Sequence, residues 1–135
     1  MTTNGKPWMR TVLWAAALYN LLFGGVVVLF PALPFRWAGL PPPNYPEIWQ
    51  CLGMVIGVYG IGYAIAATNP QRHWPIVLVG LLGKILGPIG FLRAAILGPL
   101  PWKAGWMNVV NDLIWWVPFT LKLLAARRAW KSGRE

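Results

Sequence analysis

Four stretches of this chain are apolar over the roughly twenty residues that a membrane-crossing helix requires, and that limits what the chain can fold into. They run over residues 8–30, 47–68, 74–97 and 105–126. Hydrocarbon offers no partner to a backbone N–H or C=O, so each stretch must satisfy its own backbone and reads as helix. Only 11% of the residues are charged and 57% are hydrophobic, against about a quarter charged in a soluble domain. The polar side chains are too few to cover a water-facing surface. The expectation is one all-α domain over 1–135: a membrane-embedded four-helix bundle, multi-pass in the cell (inner) membrane. The first apolar run is longer than the roughly 7–15 residues of a signal-peptide core, so it is expected to be retained.

The connections agree with that count. PALPFRWAGLPPPNYP at 31–46 is too rich in proline to be helical throughout, and its PPP run favours an extended polyproline conformation. NPQRHWP at 69–75 and GPLPWKAG at 98–105 are short turns, which make consecutive helices antiparallel neighbours. With both termini on one side, that side collects Lys6, Arg10, Arg72, Arg127, Arg128, Lys131 and Arg134, against Arg36, Lys103 and Arg93 on the other. The excess predicts cytoplasmic termini. It also accounts for the net charge of +9 without nucleic acid, because the cations sit at span ends and are not interleaved with aromatics on a polar module. Trp8, Trp74 and Trp130 then belong to an inner interfacial belt, and Trp37, Trp49, Trp102 and Trp106 to an outer one.

Small residues supply the expected packing faces. Gly53 and Gly57 stand at GxxxG spacing, Gly80, Gly83, Gly87 and Gly90 form one helical stripe, and Gly24 and Gly25 lie one turn beyond Asn20. These faces either hold the bundle together or dock it on a second copy or a larger membrane complex.

The polar residues within the spans are gathered near mid-depth. At ~1.5 Å per residue, Lys84 lies ~15 Å from the terminal end, Asn20 ~18 Å and Asp112 ~20 Å. Tyr59 and Asn111 share the layer. A lone charge there costs on the order of 3 kcal/mol, and Lys84 and Asp112 are close enough in height to pair across adjacent helices. A buried Lys84–Asp112 ion pair is expected, with Asn20, Asn111 or Tyr59 completing its hydrogen bonds. Pro88 frees the carbonyl of Lys84 and Pro118 that of Ile114. Trp115 and Trp116 lie at the same depth and need partners for their indole N–H groups, for which a free carbonyl or Asp112 would serve. The same cluster is open to a plainer reading, as glue that fixes which helix packs on which.

Other chemistries lack their residues. Cys51 is alone, which disfavours thiol peroxidase or disulfide chemistry. His73 is the single histidine and sits in a turn without the further ligands that haem or zinc would need. Neither a metal nor a cofactor is expected, and no phosphate-binding loop or nucleophile elbow occurs.

The segments FGGVVVLFP, GYAIAATNP and GKILGPIGF, on four short spans, resemble small bacterial four-helix membrane proteins of the DoxX-like kind. That resemblance implies a quinone-adjacent or accessory role in the membrane, without a redox centre in the chain itself. Two functions then compete. In one, the mid-depth site binds an apolar molecule with a polar end, such as a quinone, isoprenoid or sterol-like lipid. Lys84, Asp112 and Asn20 would recognise the polar end and Tyr59, Asn111, Trp115 and Trp116 would line the pocket, with an isomerase or other proton-transfer step at Asp112 and Lys84 as its enzymatic extension. In the other, the chain is a non-catalytic accessory subunit docked through its glycine faces. Membrane lipids are partners in either case.

Overall fold

The computed structural model describes residues 6–133; Arg134 lies outside them. Helices α1 (Pro7–Leu29), α3 (Pro46–Thr68) and α4 (Trp74–Leu97) match the first three apolar stretches to within a residue. The fourth stretch runs from Trp102 to Ser132 in four pieces: a 3-10 turn Trp102–Gly105, α5 (Trp106–Asn108), a π-helical segment Val109–Leu113, and α6 (Ile114–Ser132). A five-residue helix α2 (Leu33–Trp37) interrupts the proline-rich connection. All four long elements are long and apolar enough to cross a membrane, and the protein is an all-α, multi-pass bundle. Proline opens α1, α3 and α4 at the first helical turn, where its missing N–H costs nothing.

Helix α1 packs mainly on α3, and α4 mainly on α6 and the π segment. The α1–α3 seam is built from small residues. A Cβ on Gly24 would stand 2.6 Å from Gly53 O and 2.8 Å from Gly57 N, and one on Gly60 3.0 Å from Ala17 O. Asn20 reinforces the seam by donating Nδ2 to Ile56 O at 3.2 Å, and Gln50 Nε2 donates to Val28 O at 2.7 Å nearer the loops. Of the GxxxG pair in α3, a Cβ on Gly53 would meet Val27 and Gly24 O, whereas one on Gly57 would meet nothing within 4 Å.

The buried core (Leu13, Ala16, Ala17, Tyr63, Ala66, Ala67, Val77, Leu81 and Phe119) occupies the half of the bundle that holds the chain termini. There α3 and α4 meet closely, with Tyr63 packed on Gly80 and Ile76 on Gly62. Toward the loops the two helix pairs part. The glycine stripe of α4 is consequently not a packing face along its length. Gly80 is buried against Tyr63, but nothing lies within 4 Å of a Cβ built on Gly83 or Gly90.

Loop packing covers that open half. Trp49 meets Phe35 edge-on at 5.2 Å, and Trp37 meets Trp106 at 6.1 Å. Lys103 Nζ donates to Gly39 O at 2.7 Å, and Gly39 takes the left-handed conformation, φ 65°, that ends this turn. Trp49 and Trp106 are half-buried, so they fasten the loops, while Trp37 and Trp102 remain exposed.

Candidate functional site

Lys84 is 5% exposed and Asp112 7%, and they lie in one layer as their heights predict. The direct ion pair between them is not formed. Lys84 Nζ donates instead to the backbone carbonyl of Asn111 at 2.5 Å, and Asn111 Nδ2 donates to Asp112 Oδ1 at 3.0 Å. The π segment explains the change. One widened turn shifts the hydrogen-bond ladder by a residue, and a carbonyl on the α4 side becomes the nearer acceptor for the ammonium. Asn111 thus stands between the two charges.

The rest of the ammonium's surroundings is aromatic. Its nitrogen is 6.0 Å from the ring centre of Tyr63 and 5.9 Å from that of Trp115, within cation–π range. Tyr19, Trp115, Phe119, Tyr63 and Tyr59 form a continuous chain of ring contacts at 5.2–6.2 Å. Trp116 makes a separate link, donating Nε1 to the carbonyl of Lys84 at 2.8 Å. Pro88 removes that carbonyl's helical donor, so the expectation of an indole on a freed carbonyl is met by Trp116. Trp115 Nε1 has no hydrogen-bond partner among the described residues and packs by its ring.

Between the parted helices lies a cleft of about 450 Å³. Its walls are apolar: Phe23 from α1, Trp49, Leu52 and Ile56 from α3, and Phe91 from α4, with Phe35 and Leu40 above. Gly83, Gly87 and Gly90 form a side with no side chains, and Asn108, Asn111 and Asp112 form the polar floor. Gly87 is the point of closest approach, since a Cβ there would meet Asp112 Oδ2 at 2.9 Å.

Of the residues expected to make the site, only Asn111 and Asp112 line this cleft. Lys84 sits behind them, one hydrogen bond away. Asn20 belongs to the α1–α3 seam, where its amide is used on Ile56. Tyr59 packs on Tyr63, and Trp115 and Trp116 support Lys84 without reaching the cleft. Of the α4 glycines expected to pack helices, Gly83 and Gly90 line the cleft with open space beside them, while Gly87 lines it and also stands close against Asp112. Sequence reasoning missed Asn108, though its place one turn before Asp112 in NVVND puts both on one helix face. Tyr63 was missed because it reads as one more apolar position. Lys122, inside the fourth apolar stretch, was missed altogether; it is 1% exposed and its Nζ has no hydrogen-bond partner among the described residues.

Comparison with protein-family models, with curated proteins and with solved structures finds no match to this chain.

Proposed function

We propose that the protein holds, within the membrane, an apolar molecule with one polar end, seated in the cleft with that end at Asp112, Asn111 and Asn108. The supporting observation is the build of the cleft: aromatic and aliphatic walls, a glycine side, and three polar side chains gathered at one end. Small-molecule sites share this plan and span roughly 300–1,000 Å³. Quinone, isoprenoid and sterol-like lipids have the matching shape, and a quinone-adjacent role is what the DoxX-like resemblance implies. Residence in the inner membrane, with cytoplasmic termini, belongs to the same proposal and rests on the distribution of cations. In an enzymatic extension, Asp112 is the acid/base that touches the ligand and Lys84 positions it through Asn111.

Docking on a larger complex through the α4 glycines would put a partner helix into this cleft. The polar floor favours a ligand with a polar end over an apolar helix face. The test is native mass spectrometry of protein extracted directly into nanodiscs. A discrete small-molecule adduct is expected in the wild type, lost in Gly83→Leu, which fills the cleft, and kept in Gly25→Ala. An adduct that survives Gly83→Leu, or a wild type that carries none, overturns the reading.

A further inference from the structure

The carboxylate of Asp112 presents an unused acceptor at the floor of the cleft. Asp112 Oδ2 lies 2.9 Å from the place a Cβ on Gly87 would take, and Asn108 Oδ1 lies 3.9 Å from the same point. Asn111 commits its amide nitrogen to Asp112 Oδ1, and that bond fixes the orientation of the amide. Flipped, it would set a carbonyl oxygen against a carboxylate. Asn111 Oδ1 is therefore a true acceptor, enclosed away from the open space of the cleft and with no hydrogen-bond partner among the described residues. The hydrogen bonds made among the described residues also leave Asp112 Oδ2 without a donor. Trp49 Nε1, an enclosed donor with no partner among the described residues, belongs to a cleft-lining residue in the first turn of α3, at the loop end.

Acceptors call for a donor. A ligand ending in a carbonyl would set its oxygen against that of Asp112 and could accept only from the side-chain amide of Asn108. A ligand ending in an ammonium would bring a second cation beside Lys84, whose Nζ already holds the Asn111 carbonyl. A hydroxyl can donate to Asp112 Oδ2 and adds no charge. We infer that the cleft takes an apolar alcohol (an isoprenoid alcohol, a sterol or a quinol) in preference to the corresponding carbonyl compound. This rests on the cleft being the binding site.

The experiment compares farnesol with farnesal, its aldehyde, on the full chain in phosphatidylcholine nanodiscs, with occupancy read by native mass spectrometry. Farnesol is expected to half-saturate the protein at about tenfold lower concentration, the size of one hydrogen bond to a charged acceptor. Asp112→Asn brings the ratio toward one, and Gly83→Leu abolishes binding of both compounds. If Asp112→Asn does not fold, the ratio of farnesol to farnesal binding in the wild type, with Gly83→Leu as the control, carries the test. Farnesal binding as tightly as farnesol overturns the preference while leaving the cleft as the site. Binding of neither compound, or equal binding to Gly83→Leu and wild type, overturns the site and the preference together.

Discussion

Trp116 donates its indole N–H to the carbonyl of Lys84 at 2.8 Å, the carbonyl that Pro88 deprives of its helical donor. The same lysine donates its ammonium to Asn111 O. One residue of α4 is thus tied twice to the fourth span, by its backbone and by its side chain. The two ties hold the acid-bearing π segment beside the glycine side of α4, at the depth where the helix pairs begin to part.

The Trp116 bond exists because of the proline, so its energetic worth depends on the proline. Trp116→Phe is expected to destabilise the protein by about 1 kcal/mol, in the range of interhelical hydrogen bonds in membranes. In a Pro88→Ala background the Lys84 carbonyl regains a backbone donor, and the same substitution is expected to cost less than about half as much. A double-mutant cycle on unfolding in mixed micelles reads the coupling. Equal costs in the two backgrounds would mean that the indole bond does not depend on the freed carbonyl.

Most of the fold was legible in the sequence because hydrocarbon leaves so few choices. Helix length, proline at the turns and glycine at the α1–α3 seam follow from satisfying the backbone and letting helices approach. The mid-depth layer was legible for the same reason, since charge there is expensive enough to be noticed. What could not be read was which neighbour each polar group meets. Asn20 and Lys84 share a depth, yet rotation about the helix axis sends one to α3 and the other to the fourth span. The π turn at Val109–Leu113 has no sequence signature, and it decides that Lys84 meets a carbonyl in place of Asp112. The α4 stripe shows the same limit: identical glycines pack at Gly80 and line open space at Gly83.

Gly24 and Gly25 are adjacent and chemically identical, and the seam separates them. A methyl on Gly24 would stand 2.6 Å from Gly53 O, whereas one on Gly25 meets nothing within 4 Å. Gly24→Ala must push α1 and α3 apart and is expected to cost about 1–3 kcal/mol, the usual range for overpacking. Gly25→Ala should fall within about 0.5 kcal/mol of wild type. Unfolding midpoints in the same micelle system make the comparison. A Gly24→Ala variant as stable as Gly25→Ala would remove the seam as the tight contact.

The α4 stripe gives a second contrast, this time between folding and occupancy. A Cβ on Gly80 would overlap the Tyr63 hydroxyl and ring, and Tyr63 is held at 1% exposure by the core, so Gly80→Ala is expected to destabilise by about 1–3 kcal/mol. Gly83→Ala projects into the cleft and should leave stability within about 0.5 kcal/mol. Circular dichroism during heating in detergent distinguishes the two. Equal loss at both positions would mean that α4 packs on a neighbour along the whole stripe.

Lys122 carries a buried ammonium with no hydrogen-bond partner among the described residues. It stands four residues before residue 126, where the apolar stretch ends, or ~6 Å along the axis, yet its side chain is held at 1% exposure and does not snorkel out to that end. An enclosed charge without a partner is a cost that a side chain of similar length and no charge avoids. Lys122→Met is therefore expected to raise the stability of the purified protein by about 1–3 kcal/mol, read as a higher unfolding midpoint. Added anionic phospholipid separates two causes of the opposite result. A Lys122→Met variant less stable than wild type only when such lipid is present would make the ammonium a lipid-phosphate contact; one less stable under all conditions would make its stem part of the packing beside Phe119 and Ala126.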